Sequence, residues 1–227
     1  MKRIPKHFCL AVILLSAAGV AQAQSAGAWL LKFGATQISP QVTSDGLSAP
    51  SSPGATLNIK PDTELTGSLT YFYTEHCSVE AYFGLPFKHE IVGDGAFAGI
   101  GHIGQVKQVS PTLLAQYRFN SVNKAVRPYF GVGATLTYFY GLEGSGALTA
   151  ATNPGGSPTQ ISLGARKKLA LSTQVGFNVK VKEGWFVDAS VMKTFISNTA
   201  HLSPTGQSIK MKLDPLSVGF AIGYQFK

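Results

Sequence analysis

Between Leu216 and Phe226 the large residues Leu216, Val218, Phe220, Ile222, Tyr224 and Phe226 alternate strictly with Ser217, Gly219, Ala221, Gly223 and Gln225. A period of two is a strand whose faces meet different environments. One face is bulky and apolar; the other is small or polar and carries no charge. Gly, Ala, Ser and Gln suit a narrow hydrated barrel interior, and the bulky face suits lipid. A core strand of a soluble β-protein shows the same alternation, so the rest of the chain must decide between them.

The N-terminus speaks for export. Lys2, Arg3 and Lys6 precede an apolar run from Phe8 to Val20, and Ala21-Gln22-Ala23 has the small-x-small form of a cleavage site. Residues 1–23 are therefore expected to be a signal peptide, with a mature protein over 24–227. The run is too short for a spanning helix. Without it, 16 basic residues remain against 11 acidic ones. That excess is scattered over turns and loops, which argues against a nucleic-acid partner. Cys77 is the one cysteine left, so no disulfide framework or cysteine-built metal site is expected. No helix-length apolar run remains, and a chain of this kind enters a membrane only as a closed barrel.

Further alternating segments follow: about Ala28 to Ile38, Thr63 to Thr74, Val79 to Lys88, Val109 to Phe119, Phe130 to Tyr140, Leu169 to Val181 and Trp185 to Thr194. With the last strand they make eight. Long connections (Ser39 to Asp62, Val92 to Val106, Gly141 to Lys167, Ser197 to Ser208) alternate with short ones (Glu75 to Ser78, Asn120 to Arg127, Lys182 to Gly184). The expected fold is all-β: an eight-stranded antiparallel transmembrane up-and-down barrel with long extracellular loops and short periplasmic turns. Trp29, Tyr71, Tyr73, Phe87, Tyr117, Phe119, Tyr138, Tyr140, Trp185, Tyr224 and Phe226 lie on the apolar face and gather near strand ends, as aromatic girdles do. A secreted lipocalin also has eight strands, but its apolar residues point inward. Here the apolar face is free of ionised groups, while Glu64, Glu80, Lys88, Arg118, Lys180 and Asp188 fall on the other. The expected location is the bacterial outer membrane.

Pro86-Phe87-Lys88-His89, Ser110-Pro111-Thr112-Leu113 with Gln116-Tyr117-Arg118-Phe119, Arg127-Pro128-Tyr129-Phe130-Gly131-Val132-Gly133, and Leu213-Asp214-Pro215 before Gly223-Tyr224-Gln225-Phe226 together resemble the OmpW family of outer-membrane proteins. The resemblance covers essentially the whole mature chain. It implies an eight-stranded barrel that passes small hydrophobic molecules through an apolar pocket opening sideways into the bilayer. Members commonly end on the aromatic residue, whereas Lys227 follows Phe226 here.

The residues fit that role in two layers. Leu30, Phe72, Phe139, Met192, Met211 and Leu213 point inward and are expected toward the long-loop side as an apolar solute path. Glu80, Arg118, Lys180 and Asp188 are expected in the periplasmic half as a charged plug, with Arg118 paired to Glu80 or Asp188. Pro86, Pro111 and Pro215 remove ladder hydrogen bonds and are expected to open gaps between strands. The partners expected are outer-membrane lipid, small hydrophobic solutes, and the barrel assembly machinery through the C-terminal strand. A structural or adhesive barrel whose loops bind a partner shares the fold and stays open as an alternative. No nucleophile elbow, metal-spaced cluster or phosphate loop appears, so no catalytic, metal or cofactor residues are assigned and no enzyme is expected.

Overall fold

A computed structural model describes residues 26–49, 54–120 and 125–227. The expected signal peptide and its cleavage site lie outside the described residues. In chain order the elements are β1 (Trp29–Ser39), β2 (Thr43–Ser44), β3 (Ala55–Ile59), β4 (Asp62–Phe72), β5 (Cys77–Gly84), β6 (Phe87–Gly95), β7 (His102–Val109), β8 (Thr112–Arg118), β9 (Val126–Gly144), α1 (Gly146–Thr152), β10 (Gln160–Leu163), β11 (Lys167–Lys182), β12 (Trp185–Phe195), β13 (Ser197–Ser203), β14 (Ser208–Lys212) and β15 (Leu216–Phe226).

Antiparallel ladders run β1–β4–β5–β8–β9–β11–β12–β15, and β15 returns to β1. The sheet thus closes as an eight-stranded barrel, the form in which strands span a bilayer. The two-sided pattern positions it. Phe33, Leu65, Leu113, Leu169, Val175 and Phe220 project outward and are exposed, while Lys32, Thr36, Thr70, Gln116, Thr135 and Asn178 are buried in the lumen. At the short-turn end Trp29 packs on Tyr71 and Trp185 on Tyr224, with ring centroids 4.7 and 5.1 Å apart. Such rings mark the interface where lipid gives way to water. Gly184, at φ 72°, makes the tight turn between β11 and β12.

The long connections are more ordered than the sequence indicated. The expected loop from Val92 to Val106 is mostly a hairpin of β6 and β7, with β3 added to the free edge of β6. Its glycines and polar residues hide the apolar alternation that marks a strand. Segments of the other three long connections, β10, β13, β14 and β2, pair into a second four-stranded sheet. These strands are too short for periodicity to reveal.

One register expectation fails. Inward positions in β5 are even-numbered, such as Ser78 and Glu80, but in β6 they are Phe87, His89 and Ile91. The face switches at Leu85-Pro86, where proline cannot donate to a ladder. Phe87 is therefore buried and Lys88 exposed, the reverse of the sequence expectation.

Candidate functional site in the lumen

The barrel interior is layered. At the short-turn end Ala28, Leu30, Phe72 and Phe186 form a small buried apolar floor. This corrects the expectation that Leu30 and Phe72 lie toward the long loops. Leu30 pairs with Gln225 and Thr70 near the start of β1, and Phe72 ends β4 beside the turn.

Above the floor the Arg118 guanidinium lies between two rings, 4.9 Å from the Phe72 centroid and 4.7 Å from that of Tyr129. Arg118 also donates to Ser78, Gln116 and Asn178. It does not pair with Glu80 or Asp188. The cation that does is Lys32, whose Nζ lies 2.7 Å from Glu80 Oε1 and 3.3 Å from Asp188 Oδ1. A long ammonium stem reaches two carboxylates across the lumen, whereas the planar guanidinium stacks on rings. Lys32 lies on the inward face of β1, and nothing in the sequence pattern marks it as the central cation. Asp188 also accepts from Tyr129 and Asn178, and Glu80 from Gln116. Lys180, the remaining plug candidate, is half-buried at the short-turn end, opposite Phe186. Gly176 makes room for the Tyr129 ring: a Cβ there would come within 2.5 Å of it.

A belt of hydroxyls follows. Thr112, Thr135, Ser172 and Thr194 are linked in sequence across β8, β9, β11 and β12 at 2.8, 2.6 and 2.8 Å. Thr36 joins Thr66 and Tyr82 on the other side. Charge and hydroxyl layers close the lumen to a straight aqueous path, since side chains fill a barrel this narrow.

Toward the long connections the lining becomes apolar. Ile59, Ile91, Ile103, Phe139, Leu202 and Met211 belong to one buried cluster contributed by β9 of the barrel, the β3–β6–β7 extension and the second sheet. It surrounds a cavity of about 70 Å³ whose wall is apolar except for Thr56. A second cavity of about 50 Å³ lies next to it and includes Met192, Thr135 and Tyr82. The two share Ile59, Val106, Phe139 and Leu213 in their walls. Four of the six proposed path residues, Phe139, Met192, Met211 and Leu213, thus line this chamber.

The second cavity reaches the barrel wall at Gly84, Leu85 and Ser110. There the β5–β8 ladder stops at the pair Tyr82–Thr112, and pairing resumes only at Phe87–Gln108 between β6 and β7. Pro86 sits inside this interruption and supplies no N–H to it, whereas Pro111, beside it, turns its N and carbonyl toward β9. Pro111 O accepts from Leu136 N at 2.9 Å. The seam is therefore level with Leu136 and its neighbour Leu169, both exposed apolar residues of the lipid-facing belt. Pro215 opens no gap: it precedes β15, and its carbonyl accepts from Thr194 N at 3.2 Å.

Residues 25–226 match the family model described as the OmpW family. Outer membrane protein W of Salmonella typhi is 30% identical over 97% of this chain and 100% of its own length. The dibenzothiophene metabolism operon protein PahQ of Pseudomonas aeruginosa is 24% identical over 98% of this chain and 100% of its own. The crystal structure of the outer membrane protein OprG from Pseudomonas aeruginosa superposes with a TM-score of 0.77 at 23% identity, covering 90% of this chain and 98% of that one. A closed barrel with an apolar outer belt, together with a family match over nearly every described residue, places this chain in the OmpW family of bacterial outer-membrane β-barrels.

Proposed function

We propose that the barrel passes small hydrophobic molecules passively from the outer chamber, sideways through the seam at Pro86 and Pro111, into the bilayer. The observation that carries this reading is the placing of two adjacent cavities that share Ile59, Val106, Phe139 and Leu213 in their walls. They begin among apolar residues under the long connections, end at the interrupted ladder, and are sealed below by hydroxyls and the Lys32–Glu80–Asp188 ion pairs. An apolar solute loses little on entering such a chamber and would pay heavily to cross the buried charges. The name of PahQ, tied to the metabolism of an apolar sulfur heterocycle, supports the same solute class.

The test is uptake into vesicles holding the purified barrel, comparing an alkane-like solute with a sugar. The alkane-like solute should pass and the sugar should not. Ser110→Trp fills the seam from its lumenal side and should slow apolar uptake in a barrel that still folds. Equal passage of sugar would make the protein a small general pore. Undiminished uptake by the Ser110→Trp barrel would remove the lateral route.

A further inference from the structure

Charge on the outer rim is divided between two sides of the barrel. On the side of β11, β12 and β14 stand Arg166, Lys167, Lys168, Lys193, Lys210 and Lys212. The acids placed there are Asp45, whose N–H donates to Lys210 O, and Asp214, whose carboxylate accepts from Ile196 N. The side of the seam has the opposite bias. Asp62, Glu64, Glu90, Asp94 and Glu143 lie on or beside β4, β6 and the end of β9, and Lys60, Lys88 and Lys107 only partly offset them.

Within the basic half, Lys168, Lys210 and Lys212 line one groove of about 470 Å³ together with Thr43, Thr199 and Asn198. Asp45 is the carboxylate on its wall among the described residues. The Lys168 ammonium donates to Ser197 O at the groove edge, and a lysine carries three donors, so two remain for a ligand. Lipid-facing side chains adjoin the groove's residues along the strands. Leu169 and Leu171 follow Lys168 on β11, Phe195 precedes Ser197, and all three are exposed apolar residues. A soluble anion uses only the lysines. An amphiphile uses both features, with its phosphate in the groove and its acyl chains on Leu169, Leu171 and Phe195.

We propose that this groove holds the phosphate of an anionic outer-leaflet glycolipid, and that the acidic rim keeps such lipids away from the seam. Clustered lysines at a membrane surface attract anionic headgroups in this way. Bound lipid on β11 and β12 would leave the stretch of bilayer beside Pro86 and Pro111 clear for a departing solute.

The experiment is native mass spectrometry of the full barrel in zwitterionic detergent, incubated with diphosphoryl lipid A. Each variant is first shown to be folded by its heat-dependent gel mobility. The wild type should retain lipid A. The triple variant Lys168→Gln, Lys210→Gln, Lys212→Gln should lose roughly tenfold or more in occupancy, since each surface lysine adds its own attraction. Lys210→Gln alone, at an exposed position, should lose part of the same occupancy and serves if the triple variant does not fold. The opposing triple variant Lys60→Gln, Lys88→Gln, Lys107→Gln should bind as the wild type does. Equal losses in both triple variants would reduce the effect to net charge and overturn the site. Full retention of dephosphorylated lipid A would overturn phosphate recognition. Displacement of lipid A by millimolar inorganic phosphate would make the groove a soluble-anion site and overturn the lipid assignment.

Discussion

Lys32 Nζ stands 2.7 Å from Glu80 Oε1, with both side chains sealed from solvent, and Asp188 Oδ1 lies 3.3 Å from the same ammonium. One cation therefore serves two carboxylates drawn from β5 and β12. Lys32→Met strands both acids in the lumen and should cost about 3–5 kcal/mol. The double variant Lys32→Met, Glu80→Met should recover part of that loss. Urea titrations of the barrel in bilayers measure both; a single variant as stable as the wild type would show that the pairs do not hold the plug.

Tyr129 reaches Asp188 across Gly176, where a Cβ would fall 2.5 Å from the ring and 2.7 Å from the Ala189 carbonyl. Gly176→Ala should therefore displace the ring and cost about 1–3 kcal/mol, the usual penalty of overpacking. Ultraviolet resonance Raman of the tyrosines would report the weakened bond to Asp188. An alanine variant of unchanged stability and spectrum would mean that the ring has room to move.

Leu136 faces lipid on β9, while its neighbour Thr135 faces the hydroxyl belt. Leu136→Arg should cost about 2–4 kcal/mol if the side chain is held near the bilayer midplane and less toward the rim. Folding titrations into phosphatidylcholine vesicles give the value. No cost at Leu136 would contradict the assignment of faces.

Met192 and Leu213 line the lower cavity. Met192→Asp or Leu213→Asp places a hydrated group in the proposed route and should cut alkane-like uptake several-fold, because the solute loses apolar contact there. The barrel should stay folded, since neither side chain faces lipid. Folded variants that carry the solute at the wild-type rate would move the route elsewhere.

On the outer hairpin, the Lys60 ammonium bonds the Glu90 carboxylate at 2.9 Å, and His102 approaches it at 3.2 Å. The bond from Lys60, with His102 adding to it, holds the Glu90 carboxyl below the ordinary carboxylate range. A depressed carboxyl stabilises the fold above its unfolded value and loses that contribution as pH falls through the folded one. The contact should thus persist from neutral pH into the ordinary glutamate range, about 4.3, and fail only below it. A carbon-13 titration of Glu90 should show a low midpoint that rises in Lys60→Met; the same midpoint in both proteins would remove Lys60 as the cause.

Alternation made the barrel strands legible because lipid and lumen impose opposite demands on successive residues. The last strand is the clearest case: its bounds, Leu216–Phe226, coincide with the pattern. The accessory strands left no such mark. β2 spans two residues and β14 five, and their apolar side chains pack on other loops, so their burial is set by tertiary contacts. Alternation counted straight through Pro86 misplaces Phe87, because the ladder breaks there. Parity marks Leu30 and Phe72 as inward but says nothing of depth, and so does not place them at the short-turn end. Lys32 is not legible as the plug cation for a related reason: partner choice in a lumen depends on reach across the barrel, which a linear pattern does not contain.

The closure of the barrel bears on how the chain is made. Trp29 pairs with Phe226 and Ser39 with Leu216, and the other edge of β15 completes β12. The first described strand therefore waits for the last. Until β15 arrives, both neighbours expose unpaired backbone and a bulky apolar face, so partial chains have no stable resting form and invite aggregation. Contacts spanning nearly the whole sequence also make closure slow relative to local hairpin formation. The polypeptide must be kept soluble in transit until its final segment is available, and insertion and closure then become a single commitment.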